Sequence, residues 1–349
     1  SGFHGNMRVT FCCPHIKVAG GVRAILTYAD RLARRGHEVT VVVPAEGRLT
    51  AWWRDLHRLG PEWITGFLPQ VRWVSRWSPA RFPDGDVVVA TAWQSAGPVH
   101  AAPPRCGKKF YLIQHYESLY HVKPVGKAEM VDATYRLPLR KIVISTWLGD
   151  VMREKFSSDA HVLVTPVDPA LFRRVESGND DGLVRVLMLH HGYPWKGVAD
   201  GLRAFEKVRA RHPEACLVGF GLKRPKGRLP YDEYHENLPQ ERLRWLYSRC
   251  QIYLCASWDE GLGTPSMEAM ACGAALVTYD NGGCRDYALD GRTALVARRR
   301  DVDDLADKLE RLVVDAGLRE KIAREGAAFI SRECDWERAV TRMEALFEE

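Results

Sequence analysis

Two glutamates, Glu260 and Glu268, flank a glycine-rich turn in the run EGLGTPSME, with seven residues between them. The apolar run 251–256 before this turn is typical of a buried strand. Thr264 is a good helix N-cap, and Pro265 then takes the first helical position, where its missing N–H costs nothing. The N–H groups at such a helix start suit a phosphate, and a carboxylate beyond them can accept two hydrogen bonds from a ribose diol. The turn therefore predicts a site for a nucleotide that carries a polyhydroxylated group.

Three further loops carry residues suited to ligand binding. Gly20 and Gly21 follow the first predicted strand and open a helix, where glycine lets the backbone approach an anion or a polar sugar; a plain strand-to-helix turn is the alternative. Lys196 also lies between a strand and a helix, where an ammonium suits a diphosphate, and a solvated lysine is the alternative. His115 follows an apolar run and can exchange protons in a cleft, against the alternative of a structural histidine.

Length, composition and charge narrow the classes of function. With 349 residues the chain exceeds what one hydrophobic core usually supports, so two domains are expected. The 46% hydrophobic and 27% charged residues are ordinary for a globular protein. The net charge of +6 suits an anionic ligand or an anionic membrane surface, but the sequence has no signature of nucleic-acid binding. No apolar run reaches the ~18 residues of a membrane span.

The cysteines and the start of the chain indicate the cell compartment in which the protein is expected. The nine cysteines have neither zinc-like nor redox spacing, which fits buried, reduced thiols in a cytoplasmic protein. There is no secretory signal pattern, and Met7 looks like a native start preceded by an expression scar at 1–6. No histidine–carboxylate cluster has metal-ligand spacing, so neither a metal nor a cofactor is expected.

Strand-like and helix-like runs alternate along the whole chain, which predicts an α/β fold with parallel sheets. We expect an N-terminal domain at 7–166, a linker at 167–182 and a C-terminal domain at 183–349 that ends in helices, the last of which packs on the N-terminal domain. Both domains are predicted to be doubly wound, Rossmann-like and to face each other across a cleft. The predicted strands are 8–13, 39–43, 86–90, 109–114, 141–145, 184–189, 215–218, 252–255, 275–278 and 295–296.

Taken in order, these features resemble the retaining, GT-B fold glycosyltransferases of family 4. The resemblance covers the chain from Met7 to its C-terminus and is strongest over EGLGTPSMEAMACG at 260–273, followed by NGG at 281–283 and DG at 290–291. The start of the chain, with its paired glycines and RRGHEV at 34–39, is also similar to the family's first βαβ unit.

The resemblance implies a role for each of the candidate residues. Gly20 and Gly21 would lie near the donor phosphates and the acceptor, and His115 beside the transferred sugar. Lys196 would neutralise the diphosphate. Glu260 would bind sugar hydroxyls, so that the catalytic residues are His115, Lys196 and Glu260.

The donor nucleotide would be held by the turn and the helix that follow Glu260. Glu268 would bind the ribose. The backbone N–H groups that would hold sugar and phosphate oxygens are those of Gly261, Leu262, Gly263 and Thr264. The resemblance further implies front-face attack with retention, in which the leaving phosphate acts as the base and no metal takes part.

One position departs from the family pattern. The family usually has arginine five residues before the lysine of its phosphate pair, and this chain has His191 there. If His191 faces the phosphates, the donor should bind more tightly when the imidazole is protonated. A cation from Lys223 or Arg224 is the alternative.

The acceptor is expected on the N-terminal domain. The stretch 51–77 is rich in tryptophan and arginine, and Trp52, Trp53 and Glu117 are candidate acceptor contacts. The tryptophan-rich stretch suits stacking on a sugar or an aromatic acceptor, or contact with the inner face of the membrane. Ordinary packing of an amphipathic helix with a basic, solvated face is the alternative.

The sequence therefore predicts an enzyme that moves a sugar from a nucleotide-diphosphate sugar to a hydroxyl of a glycan, a lipid-linked glycan or a small natural product. A GT-B fold isomerase or epimerase of nucleotide sugars is a second hypothesis. It would need acid–base carboxylates in the cleft, and the sequence does not identify them. A non-catalytic sugar-nucleotide binding protein is a third, and the presence of Lys196, Glu260 and Glu268 together argues against it.

Overall fold

The computed structural model describes residues 5–178, 181–227 and 230–349. The chain forms two compact units, one made of residues up to 163 together with 337–349, and the other of 164–336. The predicted linker at 167–182 thus belongs to the second unit, except that its residues 179 and 180 lie outside the described ones.

Seven strands form the sheet of the first unit: β1 (Arg8–Cys12), β2 (Glu38–Pro44), β3 (Gln70–Val74), β4 (Val87–Ala90), β5 (Lys108–Ile113), β6 (Arg140–Val143) and β7 (Ala160–Val162). All pairs are parallel, in the order β3-β2-β1-β4-β5-β6-β7. The helices that follow the strands are α1 (Gly20–Arg34), α2 (Arg48–Leu56), α3 (Trp93–His100), α4 (Lys127–Tyr135) and α5 (Thr146–Phe156). The order reverses between β1 and β4, and ligands bind at such switch points in doubly wound sheets.

Six parallel strands form the sheet of the second unit: β8 (Val184–Leu189), β9 (Ala215–Gly221), β10 (Glu233–Glu236), β11 (Ile252–Cys255), β12 (Ala275–Tyr279) and β13 (Ala294–Ala297). Their order is β10-β9-β8-β11-β12-β13, so the switch point lies between β8 and β11. The helices are α6 (Val198–Arg209), α7 (Gln240–Arg249), α8 (Thr264–Ala271), α9 (Val302–Val314) and α10 (Ala316–Glu333). The core contains Val186, Leu254 and Val277 from three adjacent strands.

The last helix, α11 (Trp336–Glu348), belongs from Glu337 onward to the first unit. Two carboxylate oxygens of Glu344 on this helix are paired, one with Arg35 Nη1 at 2.6 Å and the other with His37 Nε2 at 3.0 Å. The Lys108 ammonium donates to the Phe347 carbonyl oxygen over 3.1 Å near the end of the helix. The helix is therefore fixed by a buried carboxylate as well as by apolar packing.

The tryptophan-rich stretch 51–77 is not one amphipathic helix packed against the core. The structure forms the short helix α2 and, after a loop, the edge strand β3. Only Ala51 of α2 is buried.

No helix in the described part of the chain is both long and apolar enough to cross a membrane. All nine cysteines are free thiols.

Candidate active site

Lys196 is held by the loop that follows β8. The loop makes a short 3-10 turn that ends at Lys196, and the next residue, Gly197, has a φ of +64°. A Cβ atom at Gly197 would lie 1.7 Å from the Ala256 carbonyl oxygen, so only glycine fits there. The Trp258 N–H donates to the Trp195 carbonyl oxygen over 2.8 Å. These contacts fix the Lys196 loop against the loop that follows β11.

Glu260 lies in the loop after β11, and its backbone is hydrogen-bonded to the loop after β12. The Glu260 N–H donates to the Asn281 carbonyl oxygen over 3.0 Å, and the Gly283 N–H donates to the Glu260 carbonyl oxygen over 3.1 Å. A Cβ atom at Gly283 would lie 2.6 Å from the Glu260 carbonyl oxygen and from Leu262 Cα. The glycine-rich loop at 281–283, which looks like a plain turn on its own, therefore positions Glu260.

The Lys196 and Glu260 side chains meet, although 63 residues separate them in the sequence. The ammonium donates to Glu260 Oε1 over 2.7 Å, and the two side chains are 21% and 12% exposed. Because β8 and β11 are adjacent strands, the pair lies at the switch point of the second sheet. An ammonium has three N–H bonds, so one bond to Glu260 leaves Lys196 able to donate to anionic oxygens as well.

A pocket surrounds this pair at the carboxyl ends of β8 and β11. Its lining combines apolar strand residues with polar residues of the two loops and of the first turn of α8. The lining residues are Met188, Leu189, Lys196, Tyr253, Leu254, Cys255, Ala256, Ser257, Glu260, Gly263, Pro265 and Ser266. A cation, a carboxylate and a helix start thus share one concave surface.

Helix α8 begins one residue earlier than the sequence predicts. Gly263, with a φ of +89°, is the N-cap, and Thr264 is the first helical residue rather than the cap. The Tyr287 hydroxyl donates to the Leu262 carbonyl oxygen over 2.8 Å, and a Cβ atom at Gly263 would lie 2.6 Å from that hydroxyl. Glycine is required at the cap because the left-handed conformation and the tyrosine both exclude a side chain. In the first turn of α8, Pro265 has no N–H and the Ser266 N–H donates to the Gly263 carbonyl oxygen over 3.1 Å. The first-turn N–H that the helix can offer to a ligand at its pocket end is therefore that of Thr264.

Glu268 lies one turn further along α8 and does not line the pocket. Its side chain is buried, with the residue only 3% exposed, and its Oε2 accepts a hydrogen bond from the Tyr247 hydroxyl over 3.2 Å. Tyr247 comes from α7 and has no sequence signal that links it to the site. A buried carboxylate held by a tyrosine is well placed to accept further hydrogen bonds with a fixed geometry.

His191 lies in the same loop as Lys196, and its ring nitrogen Nδ1 accepts a hydrogen bond from the Tyr193 N–H over 3.1 Å. Burial, followed by the nearby Lys196 ammonium, lowers the pKa of His191 below its ordinary value. The imidazole is therefore neutral near pH 7. Lys223 and Arg224, the alternative cations, are exposed in the loop that follows β9.

Gly20 and Gly21 are the first two residues of α1, which follows β1. The Gln114 side-chain amide donates to the Gly21 carbonyl oxygen over 3.1 Å, and a Cβ atom at Gly21 would lie 3.2 Å from the same amide nitrogen. Gly20 has open space where a Cβ atom would be. The paired glycines thus present backbone at the carboxyl edge of the first sheet.

His115 and Glu117 follow β5 at the same edge of the first sheet. The His115 ring contacts Tyr120, with the ring centroids 4.3 Å apart. Glu117 Oε1 accepts a hydrogen bond from the Trp93 N–H at the start of α3 over 3.3 Å. Burial raises the pKa of Glu117 to about 7, so this carboxyl group changes its charge near neutral pH.

Trp52 and Trp53 lie apart from these residues on the outer side of α2, where they are 63% and 50% exposed. Within residues 5–178, 181–227 and 230–349, no three His, Cys, Asp or Glu side chains are grouped as they would be around a metal ion.

Residues 172–329 match the protein family described as Glycosyl transferases group 1. The O-antigen biosynthesis protein RfbC of Myxococcus xanthus is 29% identical over 269 residues, which cover 76% of this chain and 21% of that protein. The D-inositol 3-phosphate glycosyltransferase of Stackebrandtia nassauensis is 33% identical over 282 residues, which cover 68% of this chain and 62% of that protein. The chain thus spans less than two thirds of the length of either relative.

Among solved structures, that of Anabaena HepE in complex with UDP and glucose matches this chain with a TM-score of 0.74. The match covers 98% of this chain and 100% of HepE at 15% sequence identity. At that identity the likeness concerns the fold, and it confirms the predicted GT-B class of two parallel-sheet, Rossmann-like domains.

Proposed function

We propose that this chain, whose residues 172–329 match the group 1 glycosyltransferases, transfers a sugar from a nucleotide-diphosphate sugar to a hydroxyl acceptor, with retention at the anomeric carbon. The observation that carries the proposal is the contact between Lys196 and Glu260 in the pocket at the switch point of the second sheet. The association of RfbC with O-antigen biosynthesis and the complex of HepE with UDP and glucose support this donor class and a carbohydrate acceptor.

The donor half of the site divides its tasks among three groups. Lys196 and the N-terminus of α8 neutralise the diphosphate, because both present positive charge to the same pocket. Glu260 accepts hydrogen bonds from hydroxyls of the sugar. Glu268, one turn deeper along α8, binds the ribose diol with a carboxylate that Tyr247 holds in place.

The reaction breaks the bond between the anomeric carbon and the β-phosphate oxygen. The acceptor oxygen bonds to the anomeric carbon from the same face, and its proton passes to the departing phosphate oxygen. Negative charge grows on that phosphate oxygen, where Lys196 and the α8 N-terminus stabilise it without a metal.

Two experiments in sequence test the proposal. A thermal-shift screen against UDP, GDP, ADP and dTDP identifies the donor base, since a ligand that binds only the folded state raises the melting temperature. Mass spectrometry of the matching sugar nucleotide with candidate acceptors, and NMR of the anomeric configuration, then report transfer and retention. Turnover of the donor in the absence of any acceptor would instead indicate an isomerase or epimerase. Binding with no turnover would indicate a non-catalytic protein.

Replacing Glu268 with glutamine should raise the Kd of the nucleotide by about ten- to a hundred-fold, because hydrogen bonds to a charged acceptor are lost. Glutamine is preferred to alanine, since alanine would leave a cavity beside the Tyr247 hydroxyl. Isothermal titration with the nucleotide measures the effect. Glu260→Gln is the matched control, and we expect it to lower turnover while changing the nucleotide Kd little. Equal changes of Kd in both variants would contradict this division of tasks.

His191 should make binding of the intact donor depend on pH only below its ordinary pKa of ~6.5, because its pKa is lowered. Above that pH the imidazole is neutral, and the donor Kd should stay constant up to pH 8. Below it, protonation adds a cation near the phosphates and the Kd should fall. The sugar nucleotide is the right probe, since a free nucleotide has a terminal phosphate that titrates in the same range. A profile in His191→Ala that matches the wild type would refute the role of the imidazole.

We propose a cytoplasmic enzyme that contacts the inner face of the membrane through α2. Four exposed apolar side chains of α2 follow the spacing of one helix face, and arginines flank them. The apolar residues are Leu49, Trp52, Trp53 and Leu56, which are 83%, 63%, 50% and 59% exposed, and the arginines are Arg48, Arg54 and Arg58.

In flotation assays the protein should bind vesicles that contain phosphatidylglycerol, and much less those of phosphatidylcholine alone. Replacing Trp52 and Trp53 together with serine should weaken binding at least about ten-fold, because both rings lose their burial in the interface. Leu222→Ser, which changes another residue with 76% exposure, is the matched control. If the wild type stays unbound at low salt, or if the tryptophan variant binds the vesicles as tightly as the wild type, the membrane contact is wrong.

A further inference from the structure

A second pocket, with a volume of about 400 Å³, lies in the first unit. That volume falls within the range of ~300–1,000 Å³ that is usual for small-molecule sites. Its walls come from the carboxyl ends of four neighbouring strands, β3, β2, β1 and β4, and from the segments that follow them, including the start of α3. The lining residues are Pro14, Pro44, Ser75, Arg76, Trp77 and Gln94. The pocket therefore spans the switch point of the first sheet, where doubly wound folds bind their ligands.

Arg76 is the one charged residue among these lining residues, and no described residue forms a hydrogen bond or an ion pair with its guanidinium. The neighbouring Trp77 is fixed, because its indole N–H donates to the Val42 carbonyl oxygen over 3.0 Å. Since that N–H is already used, Trp77 contributes apolar ring surface to the pocket rather than a donor. Ser75 and Gln94 add neutral polar groups that can bond to hydroxyls.

We infer that this pocket binds a negatively charged part of the acceptor, a carboxylate or a phosphate, and that Arg76 is the cation that recognises it. The inference rests on the proposed function, and it names the class of acceptor. A guanidinium presents two parallel N–H bonds that match both kinds of anion, and it keeps its charge at any physiological pH. The acceptor sugar that carries this anion would pack its apolar face against the Trp77 ring, which offers a large apolar surface.

The pairing of charged and neutral groups favours an acidic sugar over a neutral one. Ser75 and Gln94 can satisfy hydroxyls of either ligand, but only an anion compensates the guanidinium when the ligand displaces water from it. The predicted acceptor contacts Trp52, Trp53 and Glu117 do not line this pocket. Arg76 and Trp77 are thus the residues that set acceptor specificity in this proposal.

Ligand-observed NMR titrations of the full chain test the inference with three probes: glucose, glucuronate and glucose 6-phosphate. Glucuronate and glucose 6-phosphate separate the carboxylate from the phosphate as the preferred anion. At least one anionic probe should bind the wild type about ten-fold more tightly than glucose, and Arg76→Gln should remove that difference. Arg76→Lys should keep part of the difference in affinity, since lysine keeps the charge but lacks the two parallel N–H bonds of the guanidinium. Arg81→Gln is the matched control, because Arg81 is exposed on the same unit and does not line the pocket.

Equal affinity for glucose and both anionic probes would overturn the inference, and so would equal losses in Arg76→Gln and Arg81→Gln. Donor binding, measured by thermal shift in the same variants, keeps this failure distinct from a failure of the proposed function. If nucleotides stabilise every variant while the anions do not bind, only the acceptor class is wrong. If no nucleotide stabilises the wild type, the proposed function itself is wrong.

Discussion

Lys196→Ala should lower kcat for sugar transfer by about 10²–10³-fold, which is the usual effect of removing one preorganised group that stabilises charge in a transition state. The Lys196 ammonium lies in the pocket with the N-terminus of α8, where the charge of the departing phosphate is expected to grow. Among the described residues, Lys196 is the one lysine or arginine that lines that pocket. Steady-state kinetics with the sugar nucleotide identified by the thermal-shift screen measure the effect.

Lys223→Ala is the control that decides between the two candidate cations. Lys223 is exposed in the loop after β9, where its backbone carbonyl oxygen accepts a hydrogen bond from the Tyr234 hydroxyl, so we expect a change of less than about two-fold. A loss in Lys223→Ala as large as in Lys196→Ala would show that the diphosphate is neutralised from the β9 loop instead.

The contact between Lys196 and Glu260 also predicts non-additivity. Because the two side chains are 2.7 Å apart, the double variant Lys196→Ala/Glu260→Gln should lose less activity than the product of the two single losses. A purely multiplicative result would mean that the two residues act independently during turnover.

Burial explains which strands can be predicted from the sequence. Strands β8 and β11 have the predicted bounds, since both are flanked by strands on each side and are mainly apolar, with Arg185 the one charged residue in them. The sequence does not predict β3, β7 and β10, and all three are edge strands. An edge strand has a neighbouring strand on one side only, so it is less buried and can contain more polar residues. Strand β10, with the sequence EYHE, has the polar composition of a loop.

The site shows a similar division between local and tertiary information. Short motifs predict Lys196, Glu260 and the α8 turn, because each lies within a few residues of a recognisable strand end. The contact between Lys196 and Glu260 follows from the adjacency of β8 and β11, which no local pattern encodes. Glycine is likewise required at 197 and 283 because backbone atoms of other loops would lie within 3 Å of a Cβ atom at either position.

Glu344→Gln should lower the free energy of unfolding of the first unit by about 3 kcal/mol. The Glu344 side chain is 3% exposed and its carboxylate pairs with the Arg35 guanidinium over 2.6 Å, and removing one partner of a buried ion pair is typically destabilising by ~3–5 kcal/mol. The lower end is expected because Glu337, which pairs with Arg35 at 2.6 Å, continues to neutralise that guanidinium. Glutamine has one acceptor oxygen where Glu344 uses two, so it cannot accept from both Arg35 and His37, whose Nε2 is the donor because the Met7 N–H donates to Nδ1.

Glu337→Gln is the matched control for this last helix, because Glu337 and Glu344 contact the same guanidinium but differ in burial. The Glu337 side chain is 63% exposed, so its loss should cost less than about 1 kcal/mol. Calorimetry of the full chain measures both variants, and added nucleotide identifies the transition of the second unit by raising its melting temperature. Only the other transition should move in Glu344→Gln. Equal shifts in the two variants would mean that the buried carboxylate of α11 does not hold the first unit together.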